Sequence, residues 1–419
     1  MYRILWASPF ALHDSSSGAA IQCRNMLEYL LQYYGREIEV KVLCAMMFDD
    51  PKGSVYFKNI NELQSGKEGI FKFKENGIDY TYTVNRSLTR RGHTAQEQDV
   101  YFGEYVRLLK SYRPDLVIGY GTCMLSMSVR FEAGYRGIPV VYCLWNPTHK
   151  SYTFPCCDRI VTDSHATARF YIDNFGINVL PAGIFINPQS VVAPKKDRKP
   201  QYVTFVNPSS YKGLGIFARL ALMAKEQLPE VKFLVVESRG SFANNLKKMY
   251  ELGPDGKTKN FPLSAEMFPN VDVCQHTNNI KEVYAITKLL FAPSVWYEGW
   301  GRVTTEAVMN DIPVLGSKSG GIPEASGENV GASVCLDPPQ ECLKDWDLIP
   351  TAEQIQPWLD KLRDMLGSDY GKYVKNCPQA ARQHEPKVSA QRLYEILEPL
   401  LARKAGDDSQ LFRSGSFYK

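Results

Sequence analysis

Short apolar runs alternate along the chain with longer segments whose apolar residues recur every three or four positions, which is the pattern of strands and helices taken in turn. Residues 3–7 (Arg-Ile-Leu-Trp-Ala) predict a strand at the very start, residues 9–17 a loop, and residues 18–31, opening on Gly18, an amphipathic helix. Further buried strands are predicted at 115–118 and 139–142, and 159–162 precedes Asp163-Ser-His-Ala-Thr167, a helix-capping sequence. The alternating run 202–208 leads through Ser209-Ser-Tyr-Lys-Gly213 into an apolar helix over 214–223, and 231–236 reads as the next strand. Residues 270–277 read as a strand end with a loop, and 280–287 as a helix. Then 289–292 is a buried strand stopped by Pro293, and 303–309 has the composition of a helix. This alternation predicts an α/β protein with doubly wound sheets. Over 40–110 no specific motif stands out.

The turn between 289–292 and 303–309 is the most informative stretch. Gly299 and Gly301 let backbone approach a ligand closely, and a helix start with free N–H groups and a positive dipole end attracts an anion such as a diphosphate. Turns at the carboxyl ends of strands are where open α/β sheets bind ligands. Two carboxylates bracket this turn, Glu298 and Glu306. If most of the intervening steps are helical, at ~1.5 Å each they lie roughly 10–12 Å apart, comparable to ribose and sugar across a pyrophosphate. An ionised carboxylate only accepts hydrogen bonds and can take both donors of a vicinal diol. The arrangement fits a nucleotide-diphosphate sugar.

Residues 290–336 resemble the nucleotide-sugar half of retaining glycosyltransferases of family 4, which have the GT-B fold. The resemblance rests on Pro293-Ser294, Glu298-Gly-Trp-Gly301, Glu306-Ala-Val308, Ile312-Pro-Val-Leu315 and Gly320-Gly-Ile-Pro-Glu324, matching together in order and spacing. It implies two Rossmann-like doubly wound domains facing each other across a cleft. It also implies that Glu298 binds hydroxyls of the donated sugar and Glu306 the ribose. Gly299, Trp300, Gly301, Arg302, Val303 and Thr304 would surround the diphosphate. Upstream, Lys212-Gly213 matches the family's phosphate-gripping Lys-Gly, while Asn207 stands where the family has Arg. Lys212 would then carry the phosphate charge, with Glu298 the other principal catalytic group. His276 and Thr277 would neighbour the base, and Gly18 would approach the donor phosphate from the first domain.

The first domain departs from the family where a histidine usually faces the reacting sugar. This chain has Trp145-Asn146 there, and the nearest histidine is His149. Either His149 or Asn146 takes the catalytic place, or the acceptor side works without an imidazole; His13 and Asp14 are rivals in the first loop. Retaining relatives imply that an oxygen of the leaving phosphate can accept the acceptor's proton, so neither a protein base nor a cofactor is required. No metal site is expected, because Asp345-Trp-Asp347 follows no apolar strand and reads as surface. Nor do the ten cysteines contain a Cys-x-x-Cys.

Length, at 419 residues with 44% hydrophobic content, suits two cores, and a net charge of +4 gives no argument for nucleic acid. The predicted division is 1–190, a linker at 191–200 where two prolines flank a cationic run, and 201–387. A helix over 388–404 should return to the first domain, and 405–419 should be a disordered tail. The cationic linker could alternatively touch an anionic membrane surface. Arg86, Arg90, Arg91 and His93 make a second basic segment, within the domain expected to bind acceptor. A strand so near Met1, with no apolar stretch of ~20 residues, predicts a cytoplasmic protein.

The leading expectation is a retaining, metal-independent transferase acting on a nucleotide-diphosphate sugar. Its acceptor (saccharide, lipid-linked, peptide or small molecule) is not named by the sequence. A GT-B nucleotide-sugar epimerase and a non-catalytic nucleotide-sugar-binding protein are the alternatives. A GT-B phosphorylase is disfavoured, since nothing suggests a pyridoxal lysine, and a dehydrogenase is remote because 1–17 lacks a Gly-x-Gly-x-x-Gly turn.

Overall fold

The computed structural model describes residues 1–66, 69–149, 154, 156–238, 240–275, 277 and 279–403. The expectations for His276 and for 405–419 lie outside the described residues. The chain divides into two units, one of residues 1–186 with 385–419, the other of 187–384.

The first unit is built on eight strands: β1 Tyr2–Ala7, β2 Ile38–Ala45, β3 Ile70–Glu75, β4 Ile78–Thr83, β5 Leu116–Gly119, β6 Val140–Leu144, β7 Arg159–Thr162 and β8 Leu180–Pro181. Their order is β3-β4-β2-β1-β5-β6-β7-β8, parallel throughout except that β3 runs antiparallel to β4. A central parallel strand must be apolar on both faces, and β1 obeys: Ile4 and Trp6 enter one core while Leu5 and Ala7 enter the other. The helix His165–Phe175 starts as its sequence predicts, with the Ser164 side chain accepting a hydrogen bond from the Thr167 N–H. The last helix, Pro386–Leu401, belongs to this unit. Its Leu393, Leu397 and Leu400 are fully buried in the core with Trp6, and Tyr394 stacks on Tyr34 with ring centroids 4.0 Å apart.

The second unit has β9 Tyr202–Val206, β10 Lys232–Val236, a two-residue pair β11 Glu251–Leu252 and β12 Lys259–Asn260, then β13 Val271–Cys274, β14 Thr287–Ala292, β15 Val314–Ser317 and β16 Ser333–Leu336. The main sheet is parallel, ordered β13-β10-β9-β14-β15-β16. The chain winds outward from β9 through β10 to β13, then returns to start β14 on the other side of β9. The loops leaving β9 and β14 therefore diverge at a topological switch point, which opens a crevice at the strands' carboxyl ends.

The cationic run at 191–200 is not a free tether. The units divide between Ile186 and Asn187, and the run is anchored within the second unit. Arg198 Nη1 donates to Asn310 O and Asp311 Oδ2, both at 2.8 Å, and the Ala193 N–H donates to Asn310 Oδ1 at 2.8 Å. Prolines and charge resemble a linker, but a guanidinium with a carboxylate and carbonyls in reach becomes a clamp. Among the described residues no helix is long and apolar enough to cross a membrane.

Candidate functional site

The two loops at the switch point are bound to each other. After β9 the chain turns at Asn207, whose φ of 65° is left-handed, a conformation in which Asn is several-fold enriched among non-glycine residues. Its Oδ1 accepts the Ser209 hydroxyl at 2.6 Å, so its side chain is spent partly on its own turn. The carbonyl of Tyr211 then accepts the N–H groups of Val295 (3.1 Å) and Trp296 (3.0 Å) from the loop after β14. Gly213, at φ 89°, permits this approach: a Cβ there would stand 2.0 Å from Pro293 O.

This junction brings Lys212 against Glu298. The ammonium donates to Glu298 Oε1 at 2.5 Å, and the same oxygen accepts the Ser294 hydroxyl at 2.8 Å. Among the described residues Glu298 Oε2 has no partner and is left for a ligand hydroxyl. The loop is held from behind by the Gly320-Gly321 turn. Gly321 N–H donates to Glu298 O at 2.9 Å, and a Cβ on Gly320, at φ 57°, would lie 2.0 Å from that carbonyl. Only glycine lets the two backbones touch there.

Past Gly301 the chain enters the helix Arg302–Met309. The helix thus starts four residues after Glu298, so only the second half of the path to Glu306 is helical. Glu306 is 6% exposed. Its Oε1 accepts Arg302 Nε at 2.6 Å and its Oε2 the Tyr284 hydroxyl at 2.7 Å. A carboxylate offers about four lone-pair positions, so each oxygen keeps one for a diol. Arg302 Nη1 is buried without a hydrogen-bond partner, a donor beside the helix start. Trp300 and Thr304 face inward: the indole N–H donates to Thr305 Oγ1 at 2.8 Å, and the Thr304 hydroxyl to Gly301 O at 2.7 Å. Their side chains frame the turn. Thr277 lies beyond β13, where its Oγ1 accepts the Asn279 N–H at 3.0 Å.

Two supports escaped the sequence reading. Tyr284 sits on the helix Ile280–Ile286, indistinguishable in sequence from an ordinary core tyrosine. Asp347, read as surface, accepts the Ser210 hydroxyl at 2.5 Å, and its carbonyl accepts the Tyr250 N–H at 3.0 Å. Asp347 thereby steadies the turn that delivers Lys212. Losing one charge-assisted hydrogen bond costs roughly 1.5–3 kcal/mol. Asp347→Ala should therefore weaken nucleotide binding about tenfold by titration calorimetry, and Asp347→Asn, which keeps an acceptor, by much less.

The candidates in the first unit are differently placed. Gly18 opens the helix Gly18–Tyr34, with open space where a Cβ would be. Asn146 Oδ1 is engaged locally by the N–H (3.0 Å) and hydroxyl (2.8 Å) of Thr148. Trp145 donates its indole N–H to Cys23 Sγ at 2.9 Å. His149 Nδ1 pairs with the Tyr142 hydroxyl at 2.8 Å, and burial, helped by Arg130, pushes its pKa down to about 4. That makes His149 a weak proton acceptor at neutral pH.

His13 is 2% exposed, between the Tyr82 hydroxyl (2.7 Å from Nδ1) and Glu75 Oε2 (2.9 Å from Nε2). An ionised carboxylate can only accept, so Nε2 carries the proton and Nδ1 accepts from tyrosine. Burial pushes His13 down to about 4. A histidine held neutral in the fold stabilises it fully above the unfolded value near 6.5, and that contribution is lost as pH falls toward 4. Urea unfolding should accordingly show stability falling over that window, with a shallower fall in His13→Gln. Asp14 is also structural: its oxygens accept Ser16 N–H (2.8 Å), Ser16 hydroxyl (2.6 Å) and Asp49 N–H (2.6 Å).

Residues 188–345 match the family model for glycosyl transferases group 1. No curated protein sequence matches the chain. Solved structures are similar over nearly its whole length. A glycosyltransferase from Rickettsia africae has 13% identity and a TM-score of 0.65, with 96% of this chain and 99% of that one covered. Anabaena Alr3699/HepE in complex with UDP-glucose has 15% identity and a TM-score of 0.64, covering 95% and 100%. The pneumococcal O-GlcNAc transferase GtfA in complex with UDP and GlcNAc has 12% identity and a TM-score of 0.61, covering 96% and 99%. The chain thus has the two-domain GT-B fold, and the match of its second unit to the glycosyl transferases group 1 model supports glycosyl transfer as its class of reaction.

Proposed function

We propose that this protein moves a sugar from a nucleotide-diphosphate sugar to an acceptor hydroxyl, with retention of anomeric configuration and without a metal. The observation that carries the reading is the Lys212 and Glu298 pair at the switch point, beside a helix start and followed by Glu306. In this reading Glu306 takes the ribose diol and Glu298 Oε2 a hydroxyl of the donated sugar. Lys212 and the N–H groups opening the helix face the diphosphate.

As the bond from the anomeric carbon to the diphosphate breaks, the departing oxygen keeps the electron pair. The acceptor oxygen bonds to the same face of that carbon, and its proton passes to an oxygen of the leaving phosphate. Preorganised positive charge at the departing oxygens then does most of what the protein must do. His149, poorly basic and hydrogen-bonded, is assigned no part as base. Uridine diphosphate sugars are the first donors to try, since two structurally similar proteins are seen with UDP-glucose or with UDP and GlcNAc. None of the ten cysteines is joined in a disulfide, which suits the reducing cytoplasm.

The test is a thermal-shift panel of nucleotide sugars on the intact chain. A donor at one hundred times its dissociation constant adds about 2.7 kcal/mol of stability. A flat panel would overturn the reading.

A further inference from the structure

Residues 86–94, Arg-Ser-Leu-Thr-Arg-Arg-Gly-His-Thr, connect the end of β4 to the helix Ala95–Tyr112 in the first unit. They hold three arginines and no acid. Both ends of the segment are tied to one carboxylate. Arg86 N–H donates to Glu97 Oε1 at 2.7 Å, while the N–H and hydroxyl of Thr94 both donate to Glu97 Oε2 at 2.8 Å. Gln64 Nε2 clamps the entry by donating to Asn85 O (2.7 Å) and Arg86 O (2.8 Å). Phe48 N–H fastens the near side to Leu88 O at 2.8 Å. Across the loop Gly92 lies so close to Ser87 that a Cβ would stand 2.2 Å from its Oγ. The segment is therefore a closed and pinned loop.

Its charge is not neutralised locally. Arg86, Arg90 and Arg91 are exposed, and among the described residues none has a carboxylate oxygen within 4.0 Å. Glu97, the one acid at the neck, is engaged by backbone N–H groups and a hydroxyl. At the root, Asn85 is 1% exposed, and neither its Oδ1 nor its Nδ2 has a hydrogen-bond partner. The Nε2 of His93 is likewise buried and unpaired. A solvated arginine-rich loop needs no buried donor left open at its base. A phosphate site uses both: guanidinium forks match its oxygens two at a time, and a neutral amide adds orientation.

We propose that residues 86–94, rooted on Asn85, form a binding site for a phosphate or diphosphate group. Resting on the transferase reading above, that group belongs to the acceptor, either a soluble sugar phosphate or a lipid carrying its sugar on a diphosphate.

Hydrogen–deuterium exchange on the intact chain resolves the loop from the donor site. Inorganic pyrophosphate should slow exchange in peptides spanning 86–94. Half-saturation should rise several-fold as salt increases from about 50 to 200 mM, because exposed charges are screened. A variant with Arg86→Gln, Arg90→Gln and Arg91→Gln, which touches no core residue, should bind about tenfold more weakly or worse. A second arm replaces pyrophosphate with phosphatidylglycerol vesicles: protection by vesicles alone assigns the phosphate to a lipid, and protection by pyrophosphate alone to a soluble acceptor. Exchange unchanged by either probe, or equal protection in the triple variant, overturns the proposal. Nucleotide sugars are scored separately by protection at 207–213 and 293–306. Failure there removes the transferase reading while the loop result stands, and the converse outcome removes only the loop.

Discussion

Lys212→Ala is expected to lower turnover by about 10²- to 10³-fold, the scale seen when one preorganised group facing developing negative charge is removed. The magnitude follows from position. Lys212 is delivered by a turn bonded to the loop after β14 and held by Asp347, so its ammonium needs little reorganisation when a diphosphate departs. Among the described residues the Glu298 carboxylate would keep only the Ser294 hydroxyl as a partner, so part of the loss should also appear as weaker sugar recognition. Lys212→Arg should recover charge but not shape, because a planar fork cannot occupy the place of a compact ammonium. Its activity should lie between the two. Single-turnover rates with saturating donor test this directly, and a wild-type rate in Lys212→Ala would show that the charge on the leaving group is met elsewhere.

The loop after β14 was legible because its constraints are local and of kinds that sequence displays. A strand-ending proline, glycines where backbones meet and a carboxylate on each side of a helix start all lie within the 290–324 block. Gly320 and Gly321 illustrate the point: they matched as a motif, and the structure shows them packed against the backbone at Glu298. What supports that block was not legible, because the partners are distant in sequence. Ser210 and Asp347 are 137 positions apart, and an Asp in Asp-Trp-Asp carries no mark of the turn it steadies. Tyr284 looks like core until its hydroxyl is found on Glu306.

The 40–110 stretch resisted for another reason. β3 lies at the sheet edge with its side chains half-buried or exposed, which leaves its apolar pattern weak. His13 shows the limit of residue type as a guide: histidine suggested proton transfer, yet its surroundings are Tyr56, Phe57, Phe73, Tyr80 and Tyr82, and they hold it neutral.

Glu306 separates recognition from support. In Glu306→Ala, Arg302 would be left largely buried without its counter-charge and the Tyr284 hydroxyl without its acceptor. Removing one member of a buried pair costs about 3–5 kcal/mol, with the lower end appropriate where the arginine is partly exposed. Both stability and donor affinity should therefore fall, and affinity alone would not identify a ribose contact. Glu306→Gln keeps the shape and an acceptor for Tyr284 but offers one oxygen and no charge to a diol. Its melting temperature should fall less than that of Glu306→Ala, since the shape and one of the two acceptors are kept although the ion pair with Arg302 is lost, while donor affinity drops about tenfold or more, the difference between charged and neutral acceptors at two hydroxyls. Tyr284→Phe supplies the complementary case, since it frees Glu306 Oε2 without touching its charge. If Glu306 serves only to hold Arg302, Glu306→Gln should bind nucleotide as the parent does. If it holds the ribose, a 2′-deoxy nucleotide should bind the parent more weakly and should discriminate little in Glu306→Gln, a pattern that loss of packing cannot imitate.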